Sequence, residues 1–164
     1  MRYRTEIKSP LGQLRLFCEE EVLVGLYFEE HSPTPRDVSG HDDALPFRAV
    51  VQQLEEFFAG ERMTFDIPIK FHGTTFQEQV WSELRSIPYG ETRTYGRIAS
   101  NCERPSAVRA VGASVGRNPL SIIVPCHRVV GANGSLTGFA GGVDRKRWLL
   151  DHELANNPSR VPAA

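Results

Sequence analysis

The hydrophobic period of this chain changes part-way along, and that change limits the folds open to it. Up to about residue 70, apolar residues alternate in short runs broken by tight turns; beyond Thr74 they recur every three or four residues. Residues 3–8 alternate, Ser9-Pro10-Leu11-Gly12 is turn chemistry, residues 13–18 alternate again, and Val22–Phe28 is apolar enough for a covered strand. Residues 31–40, with Pro33, Pro35 and Gly40, read as an exposed loop. Phe47, Val50, Val51, Leu54, Phe57 and Phe58 then stand at helical spacing before Gly60, and residues 63–69 are predicted to form a further strand.

Phe71-His72-Gly73-Thr74 marks the junction between the two patterns. Thr75-Phe76-Gln77-Glu78 reads as a capping box, opening a helix with Phe76, Val80, Trp81, Leu84 and Ile87 on one face. Pro88-Tyr89-Gly90 is expected to end it. Thr94 is set to cap a short helix through Ile98 and Ala99, and Ser106 to cap another over residues 107–115. Residues 121–124 read as a buried strand, residues 138–142 as a glycine-rich loop, and Asp144 opens a last helix through Trp148, Leu149 and Leu150. The expected fold is α+β. A small N-terminal antiparallel-sheet domain with a helix spans residues 1–72. A mainly helical domain with a helix-turn-helix spans 73–156, and a mobile tail spans 157–164.

Composition narrows the function. Of 164 residues, 40% are hydrophobic and 24% charged, enough for a buried core. No apolar run approaches the roughly 20 residues of a membrane helix. Met1-Arg2-Tyr3-Arg4-Thr5-Glu6 has no apolar signal core, and Cys18, Cys102 and Cys126 form neither a disulfide framework nor a metal knuckle. A cytoplasmic protein without membrane partner is therefore expected. Charge is unevenly spread: residues 1–84 carry 8 Lys and Arg against 15 Asp and Glu, a balance of −7, while residues 85–150 carry 10 against 3, a balance of +7. A polyanion would be drawn to the second block, although chance can also make two domains differ in charge.

Two features of the basic block bear on chemistry. Ala107, Ala110, Gly112, Ala113 and Ser114 give the second helix of the pair a surface of small residues around one long cation, Arg109. That suits close approach to a minor groove or insertion into a base stack; it equally suits helix packing with Arg109 in solvent. Ile123-Val124-Pro125-Cys126-His127-Arg128-Val129-Val130 sets a cysteine between a proline and two cations or donors, which can lower a thiol pKa. In extended chain His127 would point away from Cys126 and reach it through water, with Glu153 on the last helix as a candidate orienting carboxylate. The motif alone fits a nucleophile or a buried thiol.

Taken together, these motifs resemble the O6-alkylguanine-DNA alkyltransferase family, whose Pro-Cys-His-Arg-Val signature stands at residues 125–129. The likeness runs closely from about Phe76 to Glu153 and takes in Tyr89-Gly90-Glu91-Thr92, Arg109-Ala110-Val111-Gly112, Asn118-Pro119, Gly141-Gly142 and Trp148-Leu149-Leu150. The resemblance implies a ribonuclease-H-like N-terminal domain and an irreversible, single-turnover transfer. The alkyl group would pass from O6-alkylguanine, and from O4-alkylthymine, in double-stranded DNA to Cys126, with the base flipped out through the minor groove. It assigns His127 and Glu153 to a water-bridged proton relay and Tyr95 to a proton donor for the leaving guanine. Arg109 becomes the finger that fills the vacated stack, with Ala107, Ala110, Gly112, Ser114 and Arg128 on the DNA side. Val129, Phe139, Ala140, Gly141, Asn118 and Lys146 go to base recognition and its support. Ser121 replaces a proline of some members, which bears on bulky adducts, and Phe139-Ala140 replaces a Tyr-Ser pair, which keeps a backbone donor but removes a side-chain hydroxyl. No cofactor and no metal are expected, and a monomer.

Three other functions compete: a helix-turn-helix regulator, a damage binder without chemistry, and a cysteine hydrolase. The first would want several long polar side chains on residues 107–115, the second would lack Cys126, and the third would need no DNA.

Overall fold

The apolar runs of the first third become three antiparallel strands. A computed structural model of the chain describes residues 1–157 except Pro33, Arg36 and Thr137. Strands β1 (Arg2–Ser9), β2 (Gly12–Glu19) and β3 (Val22–Phe28) form a meander. Gly12, at φ +94°, closes the first turn with the Ser9 hydroxyl, which donates to the Gly12 carbonyl at 2.7 Å. Leu14, Leu16, Leu26 and Phe28 share the inner face and are fully buried with Phe47, Leu54 and Phe57 of the segment that follows. A short strand β4 (His41–Asp42), unforeseen in the sequence, adds parallel to β1 and gives the order β3-β2-β1-β4. Two residues are too few to carry a readable period. Helix α1 (Arg48–Phe58) covers the inner face, and the chain turns at Gly60 with φ +79°.

The strand expected over residues 63–69 is instead a single bridge, Ile69 beside Leu23. Pro68 has no N–H to give, and Gln53 takes both backbone groups of Asp66 with its side-chain amide, at 2.9 and 3.2 Å. The capping box lies one residue earlier than its sequence reading. Thr74, with extended backbone, accepts from the Gln77 amide while Gln77 accepts from that of Thr74. Helix α2 (Thr75–Leu84) follows, and its Trp81 donates Nε1–H to the Ser114 carbonyl at 2.7 Å.

After β5 (Arg93–Thr94), Thr94 caps α3 (Tyr95–Asn101) as expected, its hydroxyl accepting from the Arg97 amide. Helix α4 (Val108–Gly116) is capped by the backbone at Ala107 without a side-chain bond, so Ser106 does not serve. The turn 102–107 between them carries Glu103 at φ +59°. Residues 121–124 are buried but are not a strand: they are a turn around Ile122 at φ +73°. The sequence shows burial there and cannot show handedness. β6 (Val129–Val130) pairs in parallel with β5, and α5 (Val143–Asn156) closes the described chain. The two halves meet along β3, where the Leu26 amide donates to Pro119 and the Leu26 carbonyl accepts from Ser121. The expected mobile tail, 157–164, lies outside the described residues beyond Asn157. Among the described residues no helix is long and apolar enough to cross a membrane.

Candidate active site around Cys126

Three tight turns in succession fix Cys126. The Ile123 amide donates to the Ser121 carbonyl at 2.8 Å across Ile122, whose left-handed φ is strained for a β-branched residue. The Val124 amide donates to Leu120 at 2.9 Å, and the Cys126 amide to Val124 at 2.8 Å across Pro125. Buried Asn118 braces this path from inside. It donates to the Val124 carbonyl at 2.9 Å and accepts from the Leu120 amide at 3.0 Å. This backbone is over-determined, which is how strained conformers persist beside reactive groups.

Cys126 opens a 3₁₀ turn, Cys126–Arg128, instead of following a strand. The extended geometry assumed from sequence therefore does not apply, and His127 and Arg128 both swing to one partner. His127 Nε2 lies 2.6 Å from Glu153 Oε2; Arg128 donates through Nε to Oε1 at 2.8 Å and through Nη2 to Oε2 at 2.9 Å. Arg128 Nη1 donates to the Ile87 carbonyl at 2.7 Å, and the Gly90 amide to Glu153 Oε1 at 3.2 Å. Arg128 is thus 6% exposed and committed inward, contrary to its expected place on the DNA side. It is a buried counter-ion.

The electrostatics follow from burial. Burial pushes the Cys126 thiol up, against the lowering pull of the Asn118 side chain and the Lys146 charge. The expected depression by flanking cations is absent, because Arg128 faces Glu153 and burial holds His127 below its ordinary value despite Glu153. Glu153 feels the upward push of burial, but His127 and Arg128 prevail and hold it at about 2. A neutral His127 beside an ionised Glu153 donates from Nε2. Its Nδ1, buried and without a hydrogen-bond partner, then keeps a lone pair that can accept a proton.

Lys146, expected to anchor the loop, is more than that: it is 1% exposed, with Nζ 5.8 Å from the Tyr95 ring centroid, and it lowers the thiol's pKa by its charge. Burial lowers its own pKa, and Cys126 opposes that. Tyr95 is half-buried, and burial raises its hydroxyl pKa together with the Cys126 charge. The glycine loop reaches the same place, since a Cβ on Gly138 would stand 3.6 Å from the Tyr95 hydroxyl. Phe139 packs on Phe28 at 5.8 Å, and the Ala140 carbonyl accepts from the Ser32 amide at 2.9 Å. A Cβ on Gly141 would collide with Phe28 at 2.4 Å. Val129 is fully buried in β6. Arg145, missed in the sequence as one more cation, fastens this loop to the sheet by donating to Gly141 at 3.1 Å and Leu11 at 3.0 Å.

On α4, Arg109, Ala110 and Ala113 are exposed, and Ala107 and Gly112 are half-buried. Ser114 is buried on the reverse face, where its carbonyl holds Trp81, which corrects its expected place beside DNA. Every third or fourth residue of a helix turns inward, and Ser114 follows Val111 by three. Among the described residues no group of three or more His, Cys, Asp or Glu gathers in metal-binding geometry.

Residues 75–155 match the family model for the DNA binding domain of 6-O-methylguanine DNA methyltransferase, and residues 1–71 match that for its ribonuclease-like domain. The methylated-DNA–protein-cysteine methyltransferase of Mycobacterium tuberculosis is 47% identical over 159 residues, covering 97% of this chain and 96% of its own. That of Methanosarcina acetivorans is 46% identical over 155 residues, 92% of this chain and 97% of its own. The crystal structure of the M. tuberculosis OGT in complex with DNA superposes with a TM-score of 0.90 at 46% identity, over 96% of each chain. Matches that run unbroken through both halves leave one assignment, and the chain belongs to the 6-O-methylguanine DNA methyltransferase family.

Proposed function

We propose that the protein repairs double-stranded DNA by moving the alkyl group of O6-alkylguanine, and of O4-alkylthymine, onto Cys126, once per molecule. The observation that carries this is the buried thiol beside a neutral histidine whose outer nitrogen is clamped by Glu153 and whose inner nitrogen has no partner. His127 Nδ1 takes the thiol proton, through a bridging water in the reading the family suggests, and Glu153 stabilises the imidazolium. The sulfur attacks the alkyl carbon, the carbon–O6 bond breaks, and its electron pair passes to the guanine ring. Tyr95 supplies the leaving base with a proton, and Lys146 adds positive potential beside the thiolate. The product thioether has no route back, so turnover stops after one event.

Arg109 on α4 acts as the finger that fills the space of the extruded nucleotide, supported by its being the long side chain beside exposed Ala110 and Ala113. Ala107 and Gly112 flank that surface, and the backbone of Val129 and of Phe139-Ala140-Gly141 recognises the base. The two functional units are residues 1–72 and 73–156. The protein acts as a monomer in the cytoplasm.

Mass spectrometry tests the chemistry. Excess methylated duplex should add one methyl, about 14 Da, to the peptide bearing Cys126. Cys126→Ser should gain none while still binding the DNA, because a hydroxyl gives too little anion near neutrality. Repeated turnover without added thiol would contradict the one-way step, and a methyl on another residue would remove Cys126 as acceptor.

A further inference from the structure

The turn that follows α2 lies against the relay but takes no part in the chemistry above. Its Gly90 amide is one of the donors to Glu153, and the turn is closed by the Glu91 amide on the Pro88 carbonyl at 3.1 Å. The residue between Pro88 and Gly90 is Tyr89. Its ring centroid lies 5.6 Å from the Arg128 guanidinium carbon, and its hydroxyl is buried with no hydrogen-bond partner. The ring also meets Phe57 of α1 edge-on, with centroids 6.2 Å apart and planes at 83°. Phe57 in turn accepts a hydrogen bond through its carbonyl from His152 Nε2 at 2.7 Å, one residue before Glu153 on α5.

A guanidinium bonds only within its plane and leaves its faces poorly hydrated, so an aromatic ring over one face completes its surroundings. Arg128 commits all three of its nitrogens, one bond from each, to Glu153 and Ile87 within that plane. Contact on its face comes from the Tyr89 ring. We propose that Tyr89 is a positioning residue of the proton relay: its ring holds the Arg128 guanidinium against Glu153 and braces both on Phe57 of the N-terminal half. The Tyr89 hydroxyl makes no hydrogen bond, so this role falls to the ring. This rests on the relay reading of His127 and Glu153. The charged and titratable groups facing His127 are Glu153 and Lys146 from α5, Arg128 beside it and Cys126 before it.

The test follows thiolate formation independently of methyl transfer. Full-length protein is treated with iodoacetamide between pH 6 and 9, and the Cys126 peptide is counted by mass; in parallel, transfer from free O6-methylguanine is timed. Tyr89→Leu removes the ring, loosens Arg128 and weakens the hold of Glu153 on the imidazolium. The rising limb of Cys126 alkylation should move up by about half a pH unit or more, and methyl transfer should slow about tenfold. Tyr89→Phe keeps the ring, so it should restore the limb and stay within about twofold of the parent in rate. Rates are taken per folded molecule from thermal unfolding of each variant. A Tyr89→Leu limb that coincides with the parent's overturns the proposal, as does a Tyr89→Phe protein impaired as much as Tyr89→Leu. A parent protein that shows the limb but gains no methyl overturns the repair function instead, leaving the iodoacetamide comparison to judge Tyr89.

Discussion

Glu153 receives two bonds from Arg128, one from His127 and one from Gly90 while wholly buried. Its folded-state pKa of about 2 lies below the ordinary 4.5, so its contribution to stability is complete above about pH 4.5 and disappears as pH falls towards 2. The linkage amounts to about 3 kcal/mol. Urea unfolding between pH 6 and 2.5 should show this decline in the parent. Glu153→Gln, which leaves Arg128 buried without its anion, should be less stable by about 3–5 kcal/mol near neutrality and lack that part of the decline. Parallel curves for the two proteins would remove Glu153 as the cause. At this scale the contact of His127 with Glu153 was legible, because a histidine set beside a thiol calls for an orienting carboxylate. Arg128 was not: adjacency in sequence does not reveal a 3₁₀ turn that rotates a cation away from solvent. Lys146 was read as an anchor, since nothing in one sequence marks a lysine as 1% exposed.

Helix α4 is the element whose outer surface was readable and whose inner surface was not. Its small residues and single long cation stood out in the sequence, whereas Ser114 passes for one more small surface residue unless its three-residue spacing from buried Val111 is read as an inward face. If Arg109 fills the extruded nucleotide's space, Arg109→Ala should slow repair of duplex by a barrier of a few kcal/mol while leaving reaction with free O6-methylguanine unchanged. The ratio of single-turnover rates on the two substrates, at saturating protein, measures this. An unchanged ratio would return Arg109 to the role of a surface charge. The turn around Ile122 was hidden for a related reason: a run of apolar β-branched residues has the composition of a buried strand, and only Asn118 and the backbone bonds around it reveal the reversal.

At the scale of the whole molecule, the division of charge, −7 over residues 1–84 and +7 over residues 85–150, orients the protein towards a polyanion. Binding to undamaged duplex should weaken as salt rises, with a slope of roughly 0.9 per phosphate contacted. Neutralising Arg109 or Arg117, both exposed, should lower that slope, and neutralising exposed acidic residues of the sheet half should not. A slope unchanged in all of these variants would make the asymmetry incidental. That an antiparallel sheet precedes a mainly helical stretch was legible because the hydrophobic period changes near residue 70. The seam was not, since the bonds between Leu26 and Pro119–Ser121, or between Ser32 and Ala140, join stretches whose local patterns are silent about each other.

The carboxylate clamp lies 26 residues beyond His127 in chain order. During synthesis the chain through Cys126 and His127 is therefore made before the helix that carries the clamp. Until α5 docks, the thiol has neither an oriented imidazole nor the Lys146 charge, and it resembles any unactivated cysteine in a nascent chain. On the proposed reading the thiol therefore meets its oriented base only in the completed fold, once the last helix is in place.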